Sequence, residues 1–169
     1  LFGHFFGYAL LSLCAYGVMG WEPMLLHRVY GWALPKAALA LMVQNLIIAL
    51  GGPFVLGPLI DAWFNRGQKD AHLRLFMIFA LVELVFVLLA VTASNPFLCI
   101  GFFILWGWMS NTTGPAAAAL QIVTPGEIRG QVSSLFILVF TLTGAGLGAT
   151  TVGAFTTLLF KDDLKVGWS

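Results

Sequence analysis

The sequence has few charged residues: Asp, Glu, Lys and Arg make up 9% of its 169 residues, against about 25% in a typical soluble domain. A chain so poor in charge cannot cover a water-facing surface, which excludes an ordinary soluble domain. Its net charge is +1, and no Lys/Arg cluster marks a phosphate-binding face, so nucleic acid is not expected as a partner. Both cysteines, Cys14 and Cys99, lie within apolar runs, where we interpret them as packing residues.

Several other signals are missing. The sequence has no recognisable signal peptide. It also lacks the Walker phosphate-binding loop that an ATP-driven pump would carry. No segment alternates apolar and polar residues over the ~10 positions of a membrane barrel strand. The histidines are isolated near the ends of apolar runs, so we expect no metal site and no cofactor. The chain starts inside an apolar segment and stops in a polar one, so we expect a fragment of a longer protein.

Apolar residues, in contrast, are abundant. They make up 60% of the chain, and the mean hydropathy is +0.95. Runs of ~20 or more apolar residues recur, and each is long enough to cross a hydrocarbon core of ~30 Å. We therefore predict an all-α membrane protein, a polytopic helix bundle with spans at about 1–26, 35–60, 75–93, 97–123 and 131–160.

The loops between these spans alternate sides of the membrane. Each side receives four basic residues, so the positive-inside rule does not orient the chain. The more closely spaced basic residues, Arg66 to Arg74, favour a cytoplasmic position for their loop. Pro53, Pro58 and Pro115 lie within spans, where they mark either flexible points or static kinks.

The loop after the second span carries the clearest motif. Gly57 and Asp61 stand four residues apart, and Arg66-Gly67 and Lys69 follow. This pattern resembles the loop motif of the major facilitator superfamily. Ala62 stands where a basic residue is usual, which agrees better with spinster-like members and their bacterial relatives.

Three further stretches resemble the same family. Residues 16–32 are similar to its seventh helix and the following loop, residues 124–134 to the start of the eleventh, and Gly144, Gly146, Gly148 and Gly153 to its Gly-rich middle. Close helix packing alone also explains the glycines. The resemblance implies that residues 1–169 form part of a C-terminal six-helix domain, helices seven to eleven of twelve. It places the Arg66 loop in the cytoplasm and the chain in a bacterial inner membrane.

Ionisable groups inside spans are the first site candidates. Glu83 lies in the middle of the third span, where a charge costs at least ~2.5 kcal/mol, so a functional role is the default hypothesis. We consider it a candidate for ion coupling, and the alternative is a protonated packing residue bonded to a neighbouring helix. Glu22 either lies at the membrane interface or lines the mouth of a cavity.

The resemblance supplies two further sets of candidates. It nominates Tyr16, Glu22, Gln44, Asn45, Asn111 and Thr113 as residues lining a substrate cavity, although the uncharged ones could equally join helices to each other. It also nominates Gly57, Asp61, Arg66 and Arg129 for gating, with Asp61 and Arg129 in one cytoplasmic charge network. Tryptophans near span ends are interpreted as interface anchors: Trp21, Trp32, Trp63 and Trp168.

These observations lead to one functional prediction. We expect secondary active transport of a small organic or amphipathic, lipid-like solute by alternating access, coupled to protons. The partners would be that solute, the membrane lipids and the remaining helices of the same transporter, and no enzymatic activity is expected. The alternatives are a polytopic membrane enzyme acting on lipid substrates and a non-catalytic membrane scaffold.

Overall fold

The structure is a computed structural model, and it describes residues 2–66, 71–110, 116–117, 120–121, 124–155 and 158. Four helices come first: α1 (Phe2–Arg28), α2 (Leu34–Asn65), α3 (Ala71–Thr92) and α4 (Pro96–Ser110). A 3₁₀ turn (Gly126–Ile128) then leads into α5 (Arg129–Thr141), a π-helical segment (Leu142–Leu147) and α6 (Gly148–Ala154). Every regular element within the described residues is helical, which confirms the all-α prediction.

Three helical stretches among the described residues are long and apolar enough to cross a membrane. They are Phe5–Arg28, Leu34–Trp63 and Gly126–Ala154, of 24, 30 and 29 residues. At 1.5 Å per residue even the shortest measures about 36 Å, which exceeds the hydrocarbon thickness. Two shorter apolar stretches are Met77–Thr92 and Pro96–Ser110. The length and composition of these helices indicate a helical membrane protein.

Several helices extend beyond the predicted spans. α2 continues to Asn65 and α3 begins at Ala71, so Asp61 and Arg74, predicted in a loop, lie within helices. Helix and span bounds differ in this way because hydropathy marks where a helix leaves the hydrocarbon, whereas backbone hydrogen bonding continues into the headgroup region. The predicted interruption of the fourth span, residues 111–115, lies outside the described residues.

The chain forms two compact units, Leu1–Ala37 with Leu120–Ser169, and Ala38–Ala119. In the first unit, α1 packs along α5, the π segment and α6. Phe5 meets Phe136 near the start of both partners, and Trp21 meets Ala149 near their ends, so the two run parallel. A parallel membrane-spanning pair requires an odd number of crossings between its members, and the three spans predicted there satisfy this condition.

The second unit is built on the hairpin of α3 and α4. Asn95 caps α4, because its side-chain oxygen accepts a hydrogen bond from the Phe97 N–H at 2.8 Å. Pro96 then occupies the first helical position, where no backbone donor is needed. α2 touches α4 at one level, where the Trp108 indole N–H donates to the Ile47 carbonyl at 3.1 Å.

Candidate functional site

The contact between α1 and the C-terminal helix follows a repeat of four residues. The positions that meet α1 at this spacing are Phe136, Phe140, Gly144, Gly148 and Val152, and some of their neighbours contact α1 as well. In an α-helix, positions four apart drift around the axis by about 40° at each step. The wider π turns of Leu142–Leu147 take up this excess. They therefore keep Gly148 and Val152 facing α1. We call this contact the α1 seam.

Glycines bring the two backbones of the α1 seam almost into contact. A Cβ added at Gly148 would lie 2.8 Å from both the Gly17 nitrogen and the Leu13 carbonyl oxygen. A Cβ at Gly144 would lie 2.5 Å from the ring of Tyr16. These distances exclude a larger residue unless the helices separate, as in other close crossings of membrane helices.

Ser12 lies at the centre of the seam and is 1% exposed. Its hydroxyl oxygen is 2.9 Å from the Phe140 carbonyl oxygen and 3.0 Å from the Thr143 hydroxyl. In a π segment i→i+5 bonds replace i→i+4 bonds, so the change of pattern disturbs backbone acceptors at its start. No water is available in a membrane to satisfy them. The Ser12 hydroxyl can supply a donor from the neighbouring helix, although its single proton is also within 3.0 Å reach of the Ala9 carbonyl oxygen in α1.

Trp21 makes a second polar link across the seam. Its indole N–H donates to the Ala149 carbonyl at 2.6 Å, and its ring lies 3.0 Å from the position of a Cβ on Gly153. The interpretation of Trp21 as an interface anchor was therefore incomplete, because this residue also joins two helices. Trp63 is half-buried, and Trp168 lies outside the described residues.

The predicted cavity residues fall in different environments. On α1, Tyr16 is half-buried with its ring edge-on to Phe140 at 6.2 Å, and Glu22 is 5% exposed. On α2, Gln44 is 2% exposed, whereas its neighbour Asn45 is exposed. The structure thus brings Tyr16 into the α1 seam and separates the environments of Gln44 and Asn45. The remaining candidates, Asn111 and Thr113, lie outside the described residues.

The predicted gating residues lie at helix ends. Asp61 is exposed near the C-terminal end of α2, and Arg129 is exposed as the first residue of α5. Each charge has the wrong sign for its own helix, because the helix dipole favours cations at the C-terminus and anions at the N-terminus. Arg66 follows α2 and is exposed. Gly57 is half-buried, and an added Cβ there would meet nothing within 4 Å among the described residues.

Glu83 joins the two helices of the hairpin. It is half-buried on α3, and the Ser110 side chain on α4 forms a hydrogen bond with it. The Ser110 hydroxyl oxygen also lies 3.0 Å from the Trp106 carbonyl oxygen of its own helix, so its single proton is shared between two acceptors. The bond between Glu83 and Ser110 joins two helices, as the interpretation of Glu83 as a packing residue requires. A role of Glu83 in ion coupling stays a prediction.

An open groove of about 520 Å³ runs beside the end of α6. Its described lining comprises Thr150, Thr151, Ala154, Phe155 and Leu158. Both threonine hydroxyls are engaged within their own helix, since each lies within 2.8 Å of the Leu147 carbonyl oxygen. The groove therefore combines apolar surface with hydroxyls that already have partners, and it is suited to an apolar part of a ligand.

Sequence reasoning missed Ser12 and the π segment. The sequence did contain a signal for the π segment, since the repeat from Phe136 to Val152 has a period of four rather than 3.6 residues. A serine inside the apolar run of α1 was a second signal, because a hydroxyl in a membrane helix seeks a backbone carbonyl.

Comparisons with protein-family models, curated proteins and solved structures found no match to this chain. The class of protein is set by the fold and its composition: a membrane protein built from apolar helices. A narrower assignment depends on the Gly57–Asp61 motif and on the polar residues buried within the helices.

Proposed function

We propose that the chain forms part of a secondary active transporter of the major facilitator type. In this proposal it moves a small organic or amphipathic, lipid-like solute across a bacterial inner membrane by alternating access, coupled to protons. The observation that carries the proposal is the burial of Glu22 and Gln44, which are 5% and 2% exposed. Polar groups inside membrane helices are rare and commonly mark solute or ion pathways.

The α1 seam supports this proposal through its capacity for movement. At Gly148 and Gly17 the two helices meet through their backbones, with no side chain between them. The π segment provides a point where the C-terminal helix can change its hydrogen-bonding pattern, and such segments often accompany function. Alternating access requires helices with two arrangements of similar energy.

The charges at helix ends also support it. Asp61 and Arg129 carry the charges that their own helix ends disfavour, so each would gain from a partner of opposite charge. A pair formed in only one state of the cycle would stabilise that state, as a switch requires. We therefore retain both residues as parts of the proposed cytoplasmic charge network.

The lining of the groove beside α6 supports the substrate class. A ligand with an apolar body and a polar head could place its body along Phe155 and Leu158. Its volume of about 520 Å³ falls within the range typical of sites for small organic ligands.

The proposal is tested by transport into proteoliposomes that contain the complete protein. A pH-sensitive dye inside the vesicles reports proton movement when single solutes are added outside, so no labelled substrate is needed. We expect at least one amphipathic or organic-acid solute to change the internal pH, and protein-free vesicles to show no response. Conversion of vesicle lipid to a new product without any gradient would identify a membrane enzyme instead. Inactivity with every class of solute would overturn the transport proposal.

A further inference from the structure

Two cations at the turn between α1 and α2 are each positioned over a tryptophan ring. The Lys36 ammonium lies 4.2 Å from the ring centroid of Trp32, and the Arg28 guanidinium carbon lies 5.8 Å from that of Trp21. A ring nitrogen of His27 is 2.8 Å from the Trp32 carbonyl oxygen. All five residues belong to the first compact unit. We call these five residues the aromatic–basic cluster.

The backbone of the turn holds this cluster in place. Gly31 has φ +67°, a left-handed conformation that glycine adopts without a steric penalty and that commonly ends helices. Its N–H donates to the His27 carbonyl at 3.1 Å, and the Trp32 N–H donates to the Leu26 carbonyl at 3.2 Å. Trp32 is 9% exposed, so the ring beneath Lys36 is fixed by its surroundings.

The helix bounds suit a position of the cluster at one surface of the membrane. One stretch that is long and apolar enough to span a membrane ends at Arg28 and the next begins at Leu34, which would put the turn between them at the level of the lipid headgroups. Lys36 lies in the first turn of α2, where the positive end of the helix dipole does not offset its charge.

We propose that the aromatic–basic cluster binds the phosphate of an anionic phospholipid in the surrounding leaflet. Tryptophan favours the headgroup region, and each indole face attracts the cation above it, which fixes the depth and position of both charges. Arg28 and Lys36 would donate hydrogen bonds to the phosphate oxygens, as basic groups at membrane surfaces do for acidic headgroups. The acyl chains of the same lipid would lie along the exposed apolar surface of the adjoining helices.

The test is a titration of the purified complete protein in an uncharged detergent. Short-chain phosphatidylglycerol, short-chain phosphatidylcholine and inorganic phosphate are compared, and native mass spectrometry counts the bound molecules. Each basic residue near an anionic headgroup is worth about fivefold in affinity, so two should favour phosphatidylglycerol by about 30-fold over phosphatidylcholine. We expect Lys36→Gln and Arg28→Gln each to weaken its binding about fivefold. Lys36→Arg, which keeps the charge, should stay within about twofold.

A second pair of variants distinguishes lipid binding at the aromatic–basic cluster from attraction of the lipid by the general surface charge. Trp32→Phe should weaken phosphatidylglycerol binding, because the phenyl ring attracts a cation less strongly than indole does. Trp106→Phe is the matched control, since Trp106 is buried against Phe103 and belongs to the second unit. Equal affinities for the two lipids, or undiminished affinity in a folded Lys36→Gln variant, would overturn the proposal. Displacement of the lipid by an equal concentration of phosphate would identify a site for soluble anions instead.

Discussion

The hydroxyl oxygen of Ser12 on α1 lies 2.9 Å from the backbone carbonyl oxygen of Phe140 on α5, two residues before the π segment begins. These residues are 128 positions apart in the sequence. The bond ties α1 to the point where the C-terminal helix changes its hydrogen-bonding pattern. A side chain from another helix therefore contacts the C-terminal helix at this point, and its contribution to stability can be measured.

Ser12→Ala should lower the free energy of unfolding by about 1 kcal/mol, because it removes a buried hydrogen bond between helices. Ser134→Ala is the matched control, since Ser134 is exposed and its hydroxyl donates to Gly130 of the same helix at 2.9 Å. The control should change the stability by less than about 0.5 kcal/mol. Thermal unfolding of the purified protein in detergent measures both variants. Equal stability of the two would show that the bond across the seam contributes nothing.

Gly148→Ala should destabilise the protein by about 1–3 kcal/mol, because the new methyl group would lie 2.8 Å from the backbone of α1. Gly146→Ala adds the same methyl group two positions earlier, where nothing described lies within 4 Å. The control should be neutral or stabilising, since alanine favours helix more than glycine does. Unfolding in denaturant compares the variants. An undiminished stability of Gly148→Ala would mean that the helices are not in close contact at this level.

Glu83→Gln should abolish proton-driven transport in the complete protein while leaving it folded, if Glu83 carries the coupling proton. Glutamine retains the size and the capacity to bond Ser110 but cannot exchange a proton. Glu127→Gln provides a matched control, because Glu127 is exposed in the 3₁₀ turn at the very start of the Gly126–Ala154 stretch rather than in the middle of a helix. Transport is measured in proteoliposomes as a function of pH. A wild-type pH dependence in Glu83→Gln would leave this residue with a packing role only.

Cysteine substitutions test the proposed cavity at Tyr16, Gln44, Asn45, Asn111 and Thr113. Cys14 and Cys99 are first replaced by alanine, so that each variant carries a single thiol. We expect these thiols to react with water-soluble reagents in the complete protein, and bound substrate to protect them. Labelling is followed by mass spectrometry with and without substrate. Inertness at all five positions would reject the cavity assignment.

Asp61→Asn and Arg129→Gln should each lower the transport rate and shift the protein towards the state that is open to the cytoplasm. Each removes one partner of the proposed charge network. The double variant should be less than additive, since the second substitution removes an interaction already lost. Distances between spin labels across the cytoplasmic face measure the shift. Unchanged distances in both single variants would contradict a gating role.

Local properties of the sequence were sufficient to predict the helical membrane fold. The length of an apolar run and its lack of charge decide whether a helix can cross a membrane, and both can be read within about 20 residues. The start of α4 is local in the same way, because the cap at Asn95 and the first helical position at Pro96 involve adjacent residues.

The tertiary structure alone decided which polar groups meet. Trp21 and Ala149, like Ser12 and Phe140, lie 128 positions apart, and their pairing depends on which faces of two helices pack together. Gln44 and Asn45 are adjacent in the sequence, yet only Gln44 is buried, because consecutive helical residues point about 100° apart and the packing selects one face. In a membrane, helix faces are selected by small residues and by the sum of many weak contacts, which no short sequence window contains.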